Sequence, residues 1–556
     1  MIQTLRSPLD VARSIIDRDI AQLEESIRAL KSRRNELSPI SSLPPEVLYT
    51  IFSFIDDRTS RSFRWINFSQ VSRHWRSLAL NSPKLWTNLP LCNSRWTQEM
   101  LTRSKMAELT IRIDLSYQPK SIFETMKLCL SHMKHIGELN ISGISGTRLK
   151  EVFQDLPKFA PQLHTLRIAR CLGGEAFTIH EYFLCDAERL QCIDLANCEI
   201  SWDSRLLTSL TRLTLHHSLG EKANSSFIHF LYALQRMPAL THLDLEDSIP
   251  HESGGQSVYP AVDLPSLQVL CIWSSVDALT TALHHITFPY SAVLKLTCTE
   301  TRSTEIDFSN FFSVLATKFL SSLVIRSLCL EDFCSISRQD GVRFRLSTTA
   351  FGRDCLPYTL SALQLDLALE WSSPPLSHTL QNYVKVITSA LNAMSLPVLT
   401  RLAISTSNIN SKILIKTFGT LPLLERVYVA DVSTQIFLNA LVYKMKAADQ
   451  SKKSAISCVS FPKLRYIHLR SIDFVQTNKG SKSVDMLMDC LMERYERNAA
   501  IHELHLDDCY GIWDHEVEKL REVVDVIWDG RQQTLSMTEY DSEEGEDFDS
   551  NWDSDF

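Results

Sequence analysis

The chain has 556 residues, 44% of them apolar and 22% charged, the composition of a folded protein rather than a disordered or fibrous one. No apolar run approaches the roughly 20 residues that span a bilayer, and Met1–Asp19 carries charges where a signal peptide has its apolar core. A soluble intracellular protein is expected, cytoplasmic or nuclear, with no membrane partner. The net charge is −8, yet nine acidic residues and no basic ones lie between Glu539 and Phe556. About +1 remains elsewhere, which gives no electrostatic footprint for nucleic acid.

In chain order, the first expected element is a helix. Ile16, Ile20, Leu23, Ile27, Leu30 and Leu37 alternate by steps of four and three, with Arg34 at the remaining position. That is a heptad seam of about three repeats, with Glu24, Glu25, Arg28, Lys31 and Arg33 outside it. So short a seam packs either against the rest of the chain or against another copy. Ser38-Pro39 ends it.

Leu43-Pro44-Pro45-Glu46 opens a second helix, with proline where its missing N–H costs nothing and a carboxylate in the first turn. Val47, Leu48, Ile51, Phe52 and Ile55 then form one broad apolar stripe, broken by Asp56-Asp57. Another amphipathic helix is expected from about Asn67 to Leu80, with Phe68, Val71, Trp75, Leu78 and Ala79 on one side. Asn81-Ser82-Pro83 stops it, and Leu85-Trp86 adds an anchor. These helices form either a compact cluster with apolar surface left for a partner or a hairpin whose stripes are only core.

This stretch resembles an F-box. Leu43, Pro44, Glu46, Leu48, Ile51, Phe52 and Ile55 match its first block, and Val71, Arg73, Trp75, Arg76, Leu78 and Ala79 its second. Pro83, Leu85 and Trp86 match the third, while Ser72 stands where the family has cysteine. The resemblance implies docking onto the SKP-type adaptor of an SCF-type cullin–RING ubiquitin ligase. Leu43, Pro44, Pro45, Leu48, Ile51, Phe52 and Val71 are then the expected adaptor contacts, and Trp75 and Trp86 hold the domain together.

After a helical run around Trp96, Met100 and Leu101, an apolar-x-x-apolar-x-apolar spacing begins at Met106/Leu109/Ile111. It returns at Leu163/Leu166/Ile168, Leu190/Ile193/Leu195, Leu240/Leu243/Leu245, Leu320/Leu323/Ile325, Leu360/Leu363/Leu365, Leu464/Ile467/Leu469 and elsewhere, with a degenerate copy at Leu294/Leu296. Recurrence at about 20–40 residues predicts a solenoid of short strands. Prolines two residues before the first leucine, as in Ala160-Pro161-Gln162-Leu163 and Phe461-Pro462-Lys463-Leu464, end the preceding helix and force an extended start. Leu328–Tyr358 reads as an irregular insertion and Lys444–Ser457 as an exposed loop.

The spacing resembles irregular leucine-rich repeats, with Cys171, Cys198 and Cys509 at that family's inward Asn/Cys position. F-box and repeats together resemble the large F-box family of basidiomycete fungi. The expected fold class is α/β: a short coiled-coil-like helix (1–38) and a helical F-box (39–91), then a leucine-rich-repeat-like solenoid (92–530) and an acidic tail (531–556). The resemblance implies that the residue between the strand aliphatics faces the concave side. That row includes Arg167, Asp194, Asp244, Lys295, Tyr428, His468 and His505 as candidate client contacts, beside Val324 and Gln364. Its mixed chemistry suits a protein or peptide client rather than a polyanion.

The composition of the tail predicts disorder, as a solubilising segment or as a docking or phosphorylation segment, with Thr538 and Ser550 each followed by an acid three residues on. Phosphate-loop, zinc-protease and nucleophile-elbow motifs are absent. Cysteine spacing fits no metal site. The adjacent pairs His216-His217 and His284-His285 would point to opposite faces of a strand. No cofactor, no metal and no intrinsic catalysis are expected. The implied function is a non-catalytic substrate receptor, with a leucine-rich scaffold unengaged in a ligase as the alternative.

Overall fold

The computed structural model describes residues 8–55, 63–89, 91, 93–116, 121–154, 159–170, 177–179, 184, 186–217, 226–251, 259–300, 307–334, 340–349, 363–371, 379–430, 432, 434–442, 444–445, 458–475, 477–478 and 481–532. Asp56-Asp57, Cys171, residues 446–457 and the tail with Thr538 and Ser550 lie outside the described residues. No helix among the described residues is long and apolar enough to cross a membrane. The chain divides into two compact units, Met1–Leu267 with His285–Phe288, and Gln268–His284 with Pro289–Phe556.

In the first unit, α1 (Pro8–Glu36) starts on a proline, carries Asp10 in its first turn and Arg33 and Arg34 in its last, which suits the helix dipole. Its seam is bare: Ile16, Ile20, Leu23, Ile27 and Leu30 are half to two-thirds exposed, so the described residues do not pack against it. Next come α2 (Pro45–Ile55), a 3-10 turn (Phe63–Gln70), α3 (Arg73–Leu80) and α4 (Ser94–Ser104). The single helix expected over Asn67–Leu80 is thus two pieces. Ser72 divides them: its extended backbone and its hydroxyl, which accepts from Trp75 N at 3.1 Å, make it the cap of α3.

The chain then enters a parallel sheet: β1 (Asn88–Leu89), β2 (Leu109–Asp114), β3 (Ile136–Ile144), β4 (Thr165–Arg170), β5 (Cys192–Ala196), β6 (Arg212–His216) and β7 (His242–Glu246), in that order. Register keeps the apolar positions aligned, Ile111 beside Leu139, Leu166, Ile193, Leu213 and Leu243, all buried. Alternation puts one residue of each strand on the other face, so a leucine two residues on is again inside. The prolines act more locally than expected. Pro161 is the second residue of a turn closed by Leu163 N to Ala160 O at 3.1 Å, a position that its fixed φ favours. The same bond closes Met237–Leu240, Leu264–Leu267, Leu396–Leu399 and Phe461–Leu464.

In the second unit, β8 (Val269–Ser275), β9 (Val293–Glu300), β10 (Ser327–Cys334), β11 (Asp340–Ser347) and β12 (Leu365–Trp371) precede β13 (Arg401–Ser405), β14 (Arg426–Ala430), β15 (Tyr466–Arg470), β16 (Glu503–Asp507) and β17 (Asp525–Trp528). The spatial order is β8-β9-β12-β11-β10-β13 and onward to β17, parallel except where β11 runs against both β10 and β12. Among the described residues these strands do not close into a barrel.

Four expectations change here. The stretch read as an irregular insertion contributes two long sheet strands, β10 and β11. Leu320–Ser322 is a 3-10 turn, which leaves Val324 outside any strand. At Leu360/Leu363/Leu365 the strand begins only at Leu365, so Asp366 occupies the row instead of Gln364, whose amide donates to the Tyr290 and Ala292 carbonyls. Lys444–Met445, expected in a loop, pairs with Cys458–Val459. The mixed α/β architecture stands.

Candidate functional site

α2 is apolar around most of its circumference, and the fold divides it. Leu48 and Phe52, one turn apart, are fully buried. Phe52 stacks on Phe68 with centroids 4.3 Å apart and meets Trp75 at 5.0 Å. Val47, Ile51 and Phe54 follow at i, i+4 and i+7, about 100° round the helix. Val47 is 43% and Phe54 84% exposed, and Ile51 is half-buried. A small helical domain has no second core to take this stripe, so it stays outside.

The start of α2 is fixed by backbone bonds from Val47 N and Leu48 N to Pro44 O. Pro44 and Pro45 are exposed and Leu43 half-buried, while Val71, just before α3, is 59% exposed. Of the seven expected adaptor contacts, Leu48 and Phe52 are therefore spent inside the domain. Phe54 was missed. Sequence could have found it: a short helix apolar at 47, 48, 51, 52, 54 and 55 is too apolar for one buried stripe.

The far end of the region is anchored by Trp86, which is fully buried. Its indole N–H donates to Ala79 O at 2.8 Å, and the Arg103 guanidinium of α4 lies 4.3 Å from the ring centroid. Asn88-Leu89 then pairs directly with Thr110-Ile111, so this helical cluster runs straight into the first sheet. Residues 40–91 match the F-box-like family. The F-box-like domain so delimited coincides with α2, α3 and the Trp86 anchor. No curated protein matches the chain.

The row between the strand aliphatics is the second candidate surface. In the first unit, Arg167, Asp194 and Asp244 fall in one register row, with Arg167 Nε 3.8 Å from Asp194 and His216 Nε2 3.3 Å from Asp244. Burial pushes the Asp194 carboxyl up, opposed by Arg167. The hydrogen bond to Asp244 raises His216. His216 and His217 do not diverge as expected. A positive φ of 48° at His217 turns the chain, and both rings reach Glu246, at 3.5 and 3.2 Å. His284-His285 ends the helix Val276–His285 and is not in a strand.

In the second unit, Tyr428, His468 and His505 are neighbours in one row, with ring centroids 4.9 and 5.2 Å apart. Tyr428 is only 9% exposed, so it offers a client little surface. Its row also holds buried Cys329 and Ala403. His468 bonds Asp507 at 2.6 Å, yet burial keeps its pKa below the ordinary histidine value. Lys295 is exposed in a separate part of that sheet, between Cys271 and Asp366. Cys198 and Cys509 are fully buried and pushed up to about 12, and Cys509 Sγ lies 3.5 Å from Leu469 O of the adjacent strand.

Proposed function

We propose that this chain is a non-catalytic substrate receptor of an SCF-type cullin–RING ubiquitin ligase. The F-box-like domain docks on the SKP-type adaptor. The sheets, read as irregular leucine-rich repeats, hold a client protein, and other subunits supply the chemistry by proximity. One observation carries this reading: the segment matching the F-box-like family keeps an apolar helix stripe, Val47, Ile51 and Phe54, outside its own core. Pro44, Pro45 and Val71 add exposed apolar surface. The mixed charges of the Arg167–Asp194–Asp244 row suit a protein client better than a polyanion.

A second reading is a leucine-rich scaffold whose F-box-like domain engages no ligase. Full burial of Phe52 is the observation on its side, because that side chain needs no partner. The two readings separate on co-purification with the SKP-type adaptor, comparing the natural chain with Val47→Asp/Phe54→Asp. Recovery of the natural chain and loss of the folded variant supports the receptor. Recovery of neither leaves the scaffold.

A further inference from the structure

We propose that α1 is a dimerisation helix, and that it pairs antiparallel with α1 of a second copy of this chain. The proposal rests on α1 alone and stands whether or not the F-box-like domain engages an adaptor. Two observations carry it: the bare seam and the placement of charge beside that seam.

The steps of four and three put Ile16, Leu23, Leu30 and Leu37 at one core position of the heptad, and Arg13, Ile20, Ile27 and Arg34 at the other. From Ile16 to Leu30 every seam residue is aliphatic and between 49% and 67% exposed. A run of exposed aliphatics at that spacing is an unfinished interface. Flanking the seam are Asp17 and Asp19 in the first half and Lys31 and Arg33 in the second, with Glu24 and Ser26 between them.

Orientation follows from those charges. In a parallel pair Arg13 would face Arg13 and Arg34 would face Arg34 across the axis, and Asp19 would meet Glu24 of the partner. Lys31 and Arg33 would meet only Ser26 and Ser38. Turning one helix round removes those conflicts. With Ile20 layered on Leu30 of the partner and Leu23 on its Ile27, Asp17 faces Lys31 and Asp19 faces Arg33, each pair occurring twice by symmetry. Arg34 then shares a layer with Ile16 instead of with its own copy. One like-charge contact remains, Glu24 against Glu24 at the centre. Arg28 of the same chain offsets it, lying 3.4 Å from Glu24 and 3.0 Å from Glu25.

At 1.5 Å per residue the 29-residue helix is about 43 Å long. In that register the two Glu36 ends lie about 33 Å apart along the axis, so the two F-box-like domains depart from opposite ends of the pair.

The test is light scattering on the purified full chain during size-exclusion chromatography. A mass twice 63.5 kDa is expected, reduced to the monomer by Leu23→Asp. A monomer at every accessible concentration, or a dimer that Leu23→Asp leaves intact, overturns the proposal. Orientation is read separately. Lys31→Glu/Arg33→Glu should weaken the dimer by about tenfold, and adding Asp17→Lys/Asp19→Lys should restore it. Under oxidation, Ser26→Cys should cross-link to itself and Ile20→Cys should not, with the disulfide peptides identified by mass spectrometry. An unaffected charge variant, or the reverse cross-linking pattern, overturns the antiparallel arrangement.

Discussion

Phe52 lies on Phe68 with ring centroids 4.3 Å apart and planes 16° from parallel, and both rings are withdrawn from solvent. Two residues along the same helix, Phe54 is 84% exposed. The pair separates an inner face of α2 from an outer one. Phe52→Ala removes a stacked ring from a small core and should destabilise the F-box-like domain by about 3–5 kcal/mol. Phe54→Ala should change stability by no more than about 0.5 kcal/mol. Hydrogen exchange of the 45–80 segment measures both. Equal protection loss in the two variants would contradict the division of α2 into an inner and an outer face.

The difficulty of reading α2 correctly was physical. Periodicity finds an apolar face but not its edge, and α2 is apolar over both the arc that folds inward and the arc that stays out. The sheet was more legible. Leu139, Leu166, Ile193, Leu213 and Leu243 announce strands because one face is buried and the other wet, so the two-residue alternation survives. β10 and β11 were hidden because their alternation is written partly in charge. Glu331, Arg343, Arg345 and Asp366 pair across strands, Arg345 to Glu331 at 3.0 Å and Arg343 to Asp366 at 3.1 Å. A run bearing several charges reads as loop until the partners are seen beside it.

Arg494 is 1% exposed and spends its guanidinium on backbone, donating to Ser460 O and Phe461 O at 2.7 Å each. Phe461 has a φ of +56°, unusual for a large side chain, and Arg494 clamps that turn. Burial lowers the pKa of Arg494. Arg494→Met should remove the guanidinium donor from Ser460 O and leave Phe461 O with only the Leu464 N–H, at a cost of about 2–5 kcal/mol measured by denaturant unfolding. A loss below about 1 kcal/mol would mean that water reaches the turn.

His216 and His468 should respond to pH with opposite signs. His216 is raised above 6.5, chiefly by its hydrogen bond to Asp244, so its stabilisation is full below 6.5 and is lost as pH rises through the raised folded value. Burial lowers His468, so its contribution is present above 6.5 and is lost as pH falls through the depressed folded value. Unfolding of His216→Gln should therefore differ most from the natural chain on the acid side of 6.5. His468→Gln should narrow the acid sensitivity of the chain. Matching pH profiles for the two variants would contradict these environments.

Glu370 is 1% exposed, and neither carboxylate oxygen accepts a hydrogen bond among the described residues. Burial raises its pKa, and Arg343 only partly opposes the rise. A carboxyl whose folded pKa is raised costs stability once pH exceeds its unfolded value, and the cost is complete above the folded one. Glu370→Gln, which keeps the shape and removes the charge, should stabilise the chain by about 1 kcal/mol at neutral pH. The gain should shrink as acid protonates the natural residue. Denaturant unfolding at neutral and mildly acidic pH measures it. A destabilised variant at both would mean that the buried carboxylate of Glu370 is held by partners that an amide cannot replace.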